Sequence, residues 1–162
     1  MSHDELPNRK ARLQSHVPPP WVSPDAVFFI SINCLERRKQ QLTAGETPAA
    51  ILASIRHLVK AGKCRPELVL LMPDHLHMLV SFPFEMQDSP APTIEQWKRF
   101  LARTSGIRWQ RDFFDHRIRN AADHQDKRGY LLNNPERAGL VESDGQWPYV
   151  WTEDDWREAG KG

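Results

Sequence analysis

From Val27 to Cys34 the chain reads Val-Phe-Phe-Ile-Ser-Ile-Asn-Cys, dense in β-branched and aromatic residues, which predicts a first strand. Thr47-Pro48 then opens a helix, with Thr as the expected N-cap and Pro at the first helical position. Ile51, Leu52, Ile55, Leu58 and Val59 recur at helical spacing until Gly62 stops the run. Glu67 to Leu71 is a second strand, Met72-Pro73-Asp74 a tight turn and His75 to Phe82 a third strand, so the two strands form a hairpin. Residues 83–92, with Pro83, Pro90 and Pro92, make a loop. Thr93-Ile94-Glu95-Gln96 has capping-box spacing and opens a second helix that ends near Gly106. The aromatic-rich segment Trp109 to Ile118 predicts a fourth strand. A third helix runs from about Ala121 to Asn134, where Pro135 disfavours continuation. Trp147 to Trp156, aromatic and acidic, fits a flap or closing strand.

The order β-α-β-β-α-β followed by a further helix is that of the split βαβ, ferredoxin-like plan. The expected class is α+β: an antiparallel sheet with helices on one face, the other face free for a ligand, and an additional C-terminal helix carrying Tyr130. Residues 1–24, with Pro7, the run Pro18-Pro19-Pro20 and Pro24, predict an extended or disordered arm. Residues 25–162 are then one domain, and 40% hydrophobic residues give it enough to bury a core. Cys34 and Cys64 stand outside any CxxC or Cys/His cluster, so they read as buried apolar residues in a reducing, cytoplasmic setting. No apolar run approaches the roughly 20 residues that span a bilayer. The polar, proline-rich start is unlike a secretory signal.

Net charge is only +1, but the charges are unevenly placed. Lys98, Arg99, Arg103, Arg108, Arg111, Arg117 and Arg119 face only Asp112 and Asp115 in their stretch, whereas Glu142, Asp144, Glu153, Asp154, Asp155 and Glu158 make the C-terminal tail acidic. A basic middle beside an acidic end fits a phosphate-binding face on a nearly neutral protein, and equally an ordinary solvated helix surface.

In the third strand, period-two alternation puts His75 and His77 on one face and Leu76, Met78 and Val80 on the other, where helices pack. Two imidazoles so spaced can chelate one ion, and imidazole suits Mn, Fe, Ni, Cu or Zn better than Mg. Alone, such a pair needs no metal; half-exposed histidines on a sheet face have no obligation to bind anything. Tyr130 and Asn134, four apart, share a helix face, and the Asn carbonyl oxygen is an acceptable third ligand. The same segment also describes a core tyrosine before a helix-ending Asn-Pro.

Taken together, Pro73-Asp74-His75-Leu76-His77 and the later Tyr130-x-x-x-Asn134-Pro135 resemble the single-tyrosine HUH transposases, in particular the REP-associated tyrosine transposases. The resemblance runs through Trp109-Gln110, Phe114-Asp115-His116-Arg117-Ile118-Arg119, Arg137-Ala138-Gly139-Leu140-Val141 and Trp147-Pro148, covering roughly residues 26–150. It implies a ferredoxin-like catalytic domain that cuts and rejoins single-stranded or hairpin DNA, at palindromic elements, through a 5′-phosphotyrosine. By position, His75 and His77 would bind a divalent metal (Mg or Mn), Tyr130 would be the nucleophile, and Asn134 stands where this group places a polar residue near the metal.

Lys98, Arg99, Arg103, Arg108, Arg111, Arg117, Arg119 and Lys127 are then the candidate DNA contacts. Lys127, one turn before Tyr130, is also placed to lower the phenol pKa by its charge. Trp97, Trp109, Phe113 and Phe114 are candidates for stacking on unpaired bases or for burial in the core. Two other readings compete: a non-catalytic nucleic-acid-binding module of the same fold, and a small metal-dependent hydrolase using His75 and His77 with bound water. Monomer and homodimer both fit, because the third helix can dock on its own subunit or on a partner.

Overall fold

The computed structural model describes residues 26–83, 89–142 and 146–160, with the side chains of 157–160 excepted. The proline-rich arm expected over residues 1–24, and Asp144 and the Glu158 side chain of the acidic tail, lie outside the described residues. The elements run β1 (Val27–Asn33), α1 (Thr47–Lys60), β2 (Arg65–Leu71), β3 (His75–Ser81), α2 (Ala91–Ser105), β4 (Phe114–Arg117), α3 (Ala121–Arg137), β5 (Val150–Thr152) and α4 (Glu153–Gly160).

The sheet order is β4-β1-β3-β2-β5, with every neighbouring pair antiparallel. β1 and β2 are therefore parallel to each other with β3 between them, and β3 and β4 are parallel with β1 between them. These are two interleaved βαβ units, as the order of elements predicts. β5 adds a fifth strand beside β2, so the Trp147–Trp156 segment is a closing strand followed by a helix.

Register decides what each face carries, because cross-strand partners point to the same side. Asn33, Ser31 and Phe29 of β1 oppose His75, His77 and Leu79 of β3, and Leu70 and Leu68 of β2 continue the row. On the reverse face Phe28, Ile30, Ile32, Val69, Leu71, Leu76, Met78 and Val80 form the main core. There they meet Ile51 and Ile55 of α1, Ile94, Trp97 and Leu101 of α2, and Trp156 of α4. A smaller cluster on the histidine face joins Phe29, Leu68, Leu70, Met72 and Leu79 to Leu131 of α3. The molecule thus has three layers, and the face expected to be open is roofed by α3.

Several local expectations are corrected. Thr47 is the first helical residue rather than the cap: Glu46 stands at the N-cap without a side-chain bond, and a proline in the first turn starts the helix. α2 begins at Ala91, behind Pro90, and Thr93 is buried rather than capping. Gly106 does end α2, in the left-handed conformation (φ 69°) that glycine adopts without cost. β4 is only four residues long; Trp109 contributes a single bridge to Cys34. The intervening carbonyls of Gln110 and Arg111 are taken by the Lys98 ammonium of α2 at 2.9 and 3.1 Å, so they are not free for a ladder. α3 continues through Pro135 to Arg137. Pro135 is buried, which offsets the hydrogen bond its ring removes, and the helix closes with the Ala138 amide on the Asn134 carbonyl at 2.9 Å. No helix among the described residues is long and apolar enough to cross a membrane.

Gly129 lies within α3, with open space where a Cβ would stand. Gly129→Ala should therefore stabilise the protein by about 0.5–1 kcal/mol through reduced chain entropy. In thermal unfolding followed by circular dichroism this is a rise in Tm of roughly 1–4 °C. A fall would show that position 129 is not helical.

Candidate active site

The site lies between β3 and α3. His75 and His77 stand two residues apart on the face roofed by α3, with ring centroids 4.9 Å apart. Each ring has its Nδ1 occupied. Ser31 Oγ, from the register partner on β1, lies 2.9 Å from His77 Nδ1, and Asp74 Oδ1 lies 2.7 Å from His75 Nδ1. With Nδ1 protonated and donating, both rings keep an Nε2 lone pair for a ligand, which is how metal-binding imidazoles are usually oriented. Burial pushes the His77 imidazolium well below its usual range, to about 3, and the neighbouring His75 and Arg37 charges act in the same direction. Burial lowers His75 as well, against the opposing pull of Asp74. Both rings are neutral near pH 7.

α3 brings Tyr130 and Asn134 over this pair. The Asn134 carboxamide nitrogen is 3.4 Å from His77 Nε2, and half a turn of that amide about its last bond exchanges nitrogen for oxygen. The Tyr130 ring lies 5.9 Å from the His77 ring and 6.2 Å from that of Phe29, which itself stacks on His77 at 5.5 Å. Above the phenol ring, 4.5 Å from its centroid, sits the Arg137 guanidinium, which also donates to the Tyr130 carbonyl at 3.1 Å. Tyr130 is half-buried. Among the described residues no three His, Cys, Asp or Glu side chains gather to hold a metal. The donor set offered is two neutral imidazoles and one carboxamide, which suits a borderline divalent cation that keeps further positions for oxygen ligands.

The helix is seated mainly by polar contacts. Asn120 caps it, accepting the Asp123 amide at 2.8 Å. Asp123 is buried and takes His116 Nε2 at 2.9 Å, the Arg119 amide at 2.9 Å and Lys127 Nζ at 3.3 Å. Burial alone would raise the Asp123 carboxyl; these partners outweigh it and hold the group at about 2. A bulge between Pro66 and Leu68 leaves Glu67 unpaired in the ladder, and Glu67 meets His124 at 2.6 Å. Arg128 reaches Glu153 at 3.2 Å.

The predicted DNA contacts do not form one surface. Lys98 is buried, its ammonium on the two carbonyls already described and over the Phe113 ring, so it cannot meet a phosphate. Arg99 and Arg103 are exposed on α2, on the far side of the sheet from the histidines. Arg117 lies over the Phe28 ring on that same far face. Arg119 and Lys127 belong to the Asp123 network, and Lys127 also meets Asp126 at 3.4 Å, so its charge is engaged within α3. Arg108 and Arg111 remain exposed near the histidine end, flanking Trp109-Gln110, whose Gln110 amide bonds the Asn33 carbonyl. Trp97 and Phe113 are core residues; Trp109 and Phe114 are partly exposed. A groove lined by His57, Trp97 and Phe100 between α1 and α2 opens on the far layer, so a substrate for the histidines does not enter there.

The chain is 27% identical over 128 residues to the REP-associated tyrosine transposase of Escherichia coli K12, spanning 75% of this chain and 73% of that protein. It is 30% identical over 142 residues to a Haemophilus influenzae relative assigned to the same group, spanning 76% and 77% respectively. The chain belongs to the REP-associated tyrosine transposase family. A solved REP-associated tyrosine transposase, bound to a REP hairpin, superposes with a TM-score of 0.67 at 25% identity, covering 83% of this chain and 81% of the other. No protein-family model matches the chain.

In this transposase-family chain, three site neighbours escaped the sequence reading. Ser31 carried a usable signal: it and Asn33 turn the histidine-side face of β1 polar at the end where His75 and His77 lie. Arg137 is seven residues after Tyr130 on the same helix, hidden by ending the helix at Asn134. Arg37 reaches the site through Asp74, at 3.4 Å, a contact no local pattern encodes.

Because the folded-state pKa of Asp123 lies below its ordinary value of 3.8, its ionised form stabilises the fold in full above about pH 4 and loses that contribution as pH falls toward 2. Asp123→Asn should cost about 2 kcal/mol at pH 7 in urea unfolding. The gap between the two proteins should shrink steadily below pH 4; a gap independent of pH would assign it to packing instead.

Proposed function

We propose that the chain is a metal-dependent single-strand DNA endonuclease and strand transferase that acts at palindromic or hairpin DNA of the REP type. What carries this reading is the approach of Tyr130 and Asn134, on one face of α3, to the Nε2 side of His77. The relative solved with a REP hairpin supports the DNA class. His75, His77 and Asn134 would hold a divalent ion, with Mn better matched to imidazole than Mg. Such an ion, when bound, polarises a non-bridging phosphate oxygen and neutralises developing charge.

The chain's own residues do the rest. Tyr130 is the nucleophile: its phenol oxygen forms a bond to phosphorus as the bond from phosphorus to the 3′-oxygen breaks. The phenol proton ends on the departing strand as a 3′-OH, leaving a 5′-phosphotyrosine. A phenol with a reference pKa of roughly 10 is a better leaving group than a sugar alcohol, so an incoming 3′-OH reverses the step without nucleotide hydrolysis. The Arg137 cation over the ring and the Phe29 edge fix the phenol's orientation. Ser31 and Asp74 fix the two imidazole tautomers.

The direct test mixes 3′-labelled single-stranded palindromic DNA with protein and Mn²⁺ on a denaturing gel. A labelled protein band is expected, and should vanish with EDTA, with His77→Ala and with Tyr130→Phe. DNA binding without any adduct would favour a binding module, and cleavage that survives Tyr130→Phe a hydrolase. Independently, Ser31→Ala should weaken Mn²⁺ binding about tenfold or more in calorimetry, because the His77 ring loses its orienting partner. Unchanged affinity would mean that His77 is not a ligand.

A further inference from the structure

Among the described residues a single non-glycine takes a positive φ: Arg38, at 69°. L-residues avoid that region because Cβ crowds the next carbonyl, and turns there ordinarily use glycine or asparagine. Arg38 is held in place by Asp74, whose Oδ2 accepts the Arg38 amide at 2.8 Å. The same carboxylate takes His75 Nδ1 on its other oxygen at 2.7 Å and lies 3.4 Å from Arg37 Nε. Arg37 in turn donates to Asn33 Oδ1 at 2.5 Å, and Asn33 is the register partner of His75. One carboxylate thus fixes both the orientation of an imidazole and the backbone of a loop bearing Arg37, Arg38 and Lys39.

Arg108 completes the group. Its carbonyl accepts the Leu35 amide at 2.8 Å, and its guanidinium meets Glu36 at 3.1 Å, with Lys39 on the other Glu36 oxygen. All four cationic residues are exposed, and the Arg38 guanidinium has no ion pair among the described residues. Strained backbone persists where its surroundings over-determine it, and it collects at ligand clamps. Glycine would hold this conformation freely, so what arginine adds at position 38 is its side chain.

We propose that residues 35–39 with Arg108 form a clamp for the DNA backbone at the edge of the histidine pair. In it Arg37 and Arg38 each take a phosphate of the strand adjoining the one to be cut, and Asp74 is the positioning residue that keeps the clamp in register with His75. This rests on the strand-transfer reading of His75, His77 and Tyr130. Guanidinium groups match phosphate oxygens in a two-pronged geometry that lysine cannot reproduce, which suits a loop that must set position as well as charge.

The experiment is fluorescence anisotropy of labelled palindromic single-stranded DNA, titrated across NaCl concentrations in EDTA, so that the ion plays no part. The unaltered protein is compared with Arg38→Gly, Arg37→Ala and, as a control on the far face of α1, Arg56→Ala. Arg38→Gly should keep or raise Tm, since glycine relieves the strain. It should also flatten the slope of log affinity against log salt by about 0.7 and weaken binding about fivefold at 0.1 M salt. Arg37→Ala should do the same, the double variant should lose about 25-fold, and Arg56→Ala should match the unaltered protein. Unchanged slopes in a folded Arg38→Gly and Arg37→Ala would overturn the clamp, while the Tyr130 adduct would still stand for the strand-transfer reading. If the unaltered protein neither binds the DNA nor forms an adduct, both fall. Asp74→Asn, at unchanged Tm, should move Mn²⁺ affinity and the EDTA salt slope together; a change in only one would overturn the positioning role.

Discussion

β3 is flanked by β1 and β2 over its whole length, so neither of its faces reaches solvent at an edge, and its pleat has to serve two unlike layers. On one side Leu76, Met78 and Val80 seal the main core. On the other the same alternation buries the His77 imidazole and half-buries that of His75, and a buried polar ring is costly unless its N–H is paired. The partners come from the nearest backbone on either hand: Ser31 across the ladder for His77, and Asp74 from the preceding turn for His75. Once those bonds are made, each ring has one nitrogen left, on the side that α3 covers. The polar end of β1 and the layer that roofs the histidines follow from this one requirement.

The roof has to cover the histidines without sealing them. α3 buries only Asp123, Leu131 and Pro135, a narrow apolar contribution for a helix of 17 residues. Full burial of Leu131 contributes roughly 2–3 kcal/mol. The remaining attachment is charged: Asp123 with His116 and Lys127, Glu67 with His124, and Arg128 with Glu153. The solvent-accessible, half-buried Arg128–Glu153 pair contributes less than about 1 kcal/mol, whereas Asp123, shielded and held by several donors, contributes more. A helix seated this way leaves Tyr130 and Asn134 half-exposed above His77, as the roles of nucleophile and metal ligand proposed for them require.

Charge follows the same logic of place over number. A net charge of +1 leaves little field to attract DNA from afar, so any grip on the backbone depends on where cations stand. The fold scatters the densest basic stretch: Lys98 goes into the core, Arg99 and Arg103 to the far layer, and Arg119 into the Asp123 network. It gathers instead the short run Arg37-Arg38-Lys39 beside Arg108, at the end of the sheet where His75 lies.

Much of this protein was legible in the sequence because the signals are local. Period-two alternation assigned His75 and His77 to one face, helical spacing paired Tyr130 with Asn134, and the order of strands and helices implied the interleaved sheet. Only tertiary structure decided the rest, since each remaining feature depends on partners far apart in the chain. The length of β4 is set by the Lys98 ammonium, which captures its would-be ladder carbonyls from α2. α3 passes through Pro135 because burial on the sheet offsets the missing hydrogen bond. Which cations surround the histidines is decided by Asp74, whose one carboxylate joins a turn, a ring and a loop. Local periodicity fixes which way a side chain points along its own element, but what it meets is fixed only when distant elements close on one another.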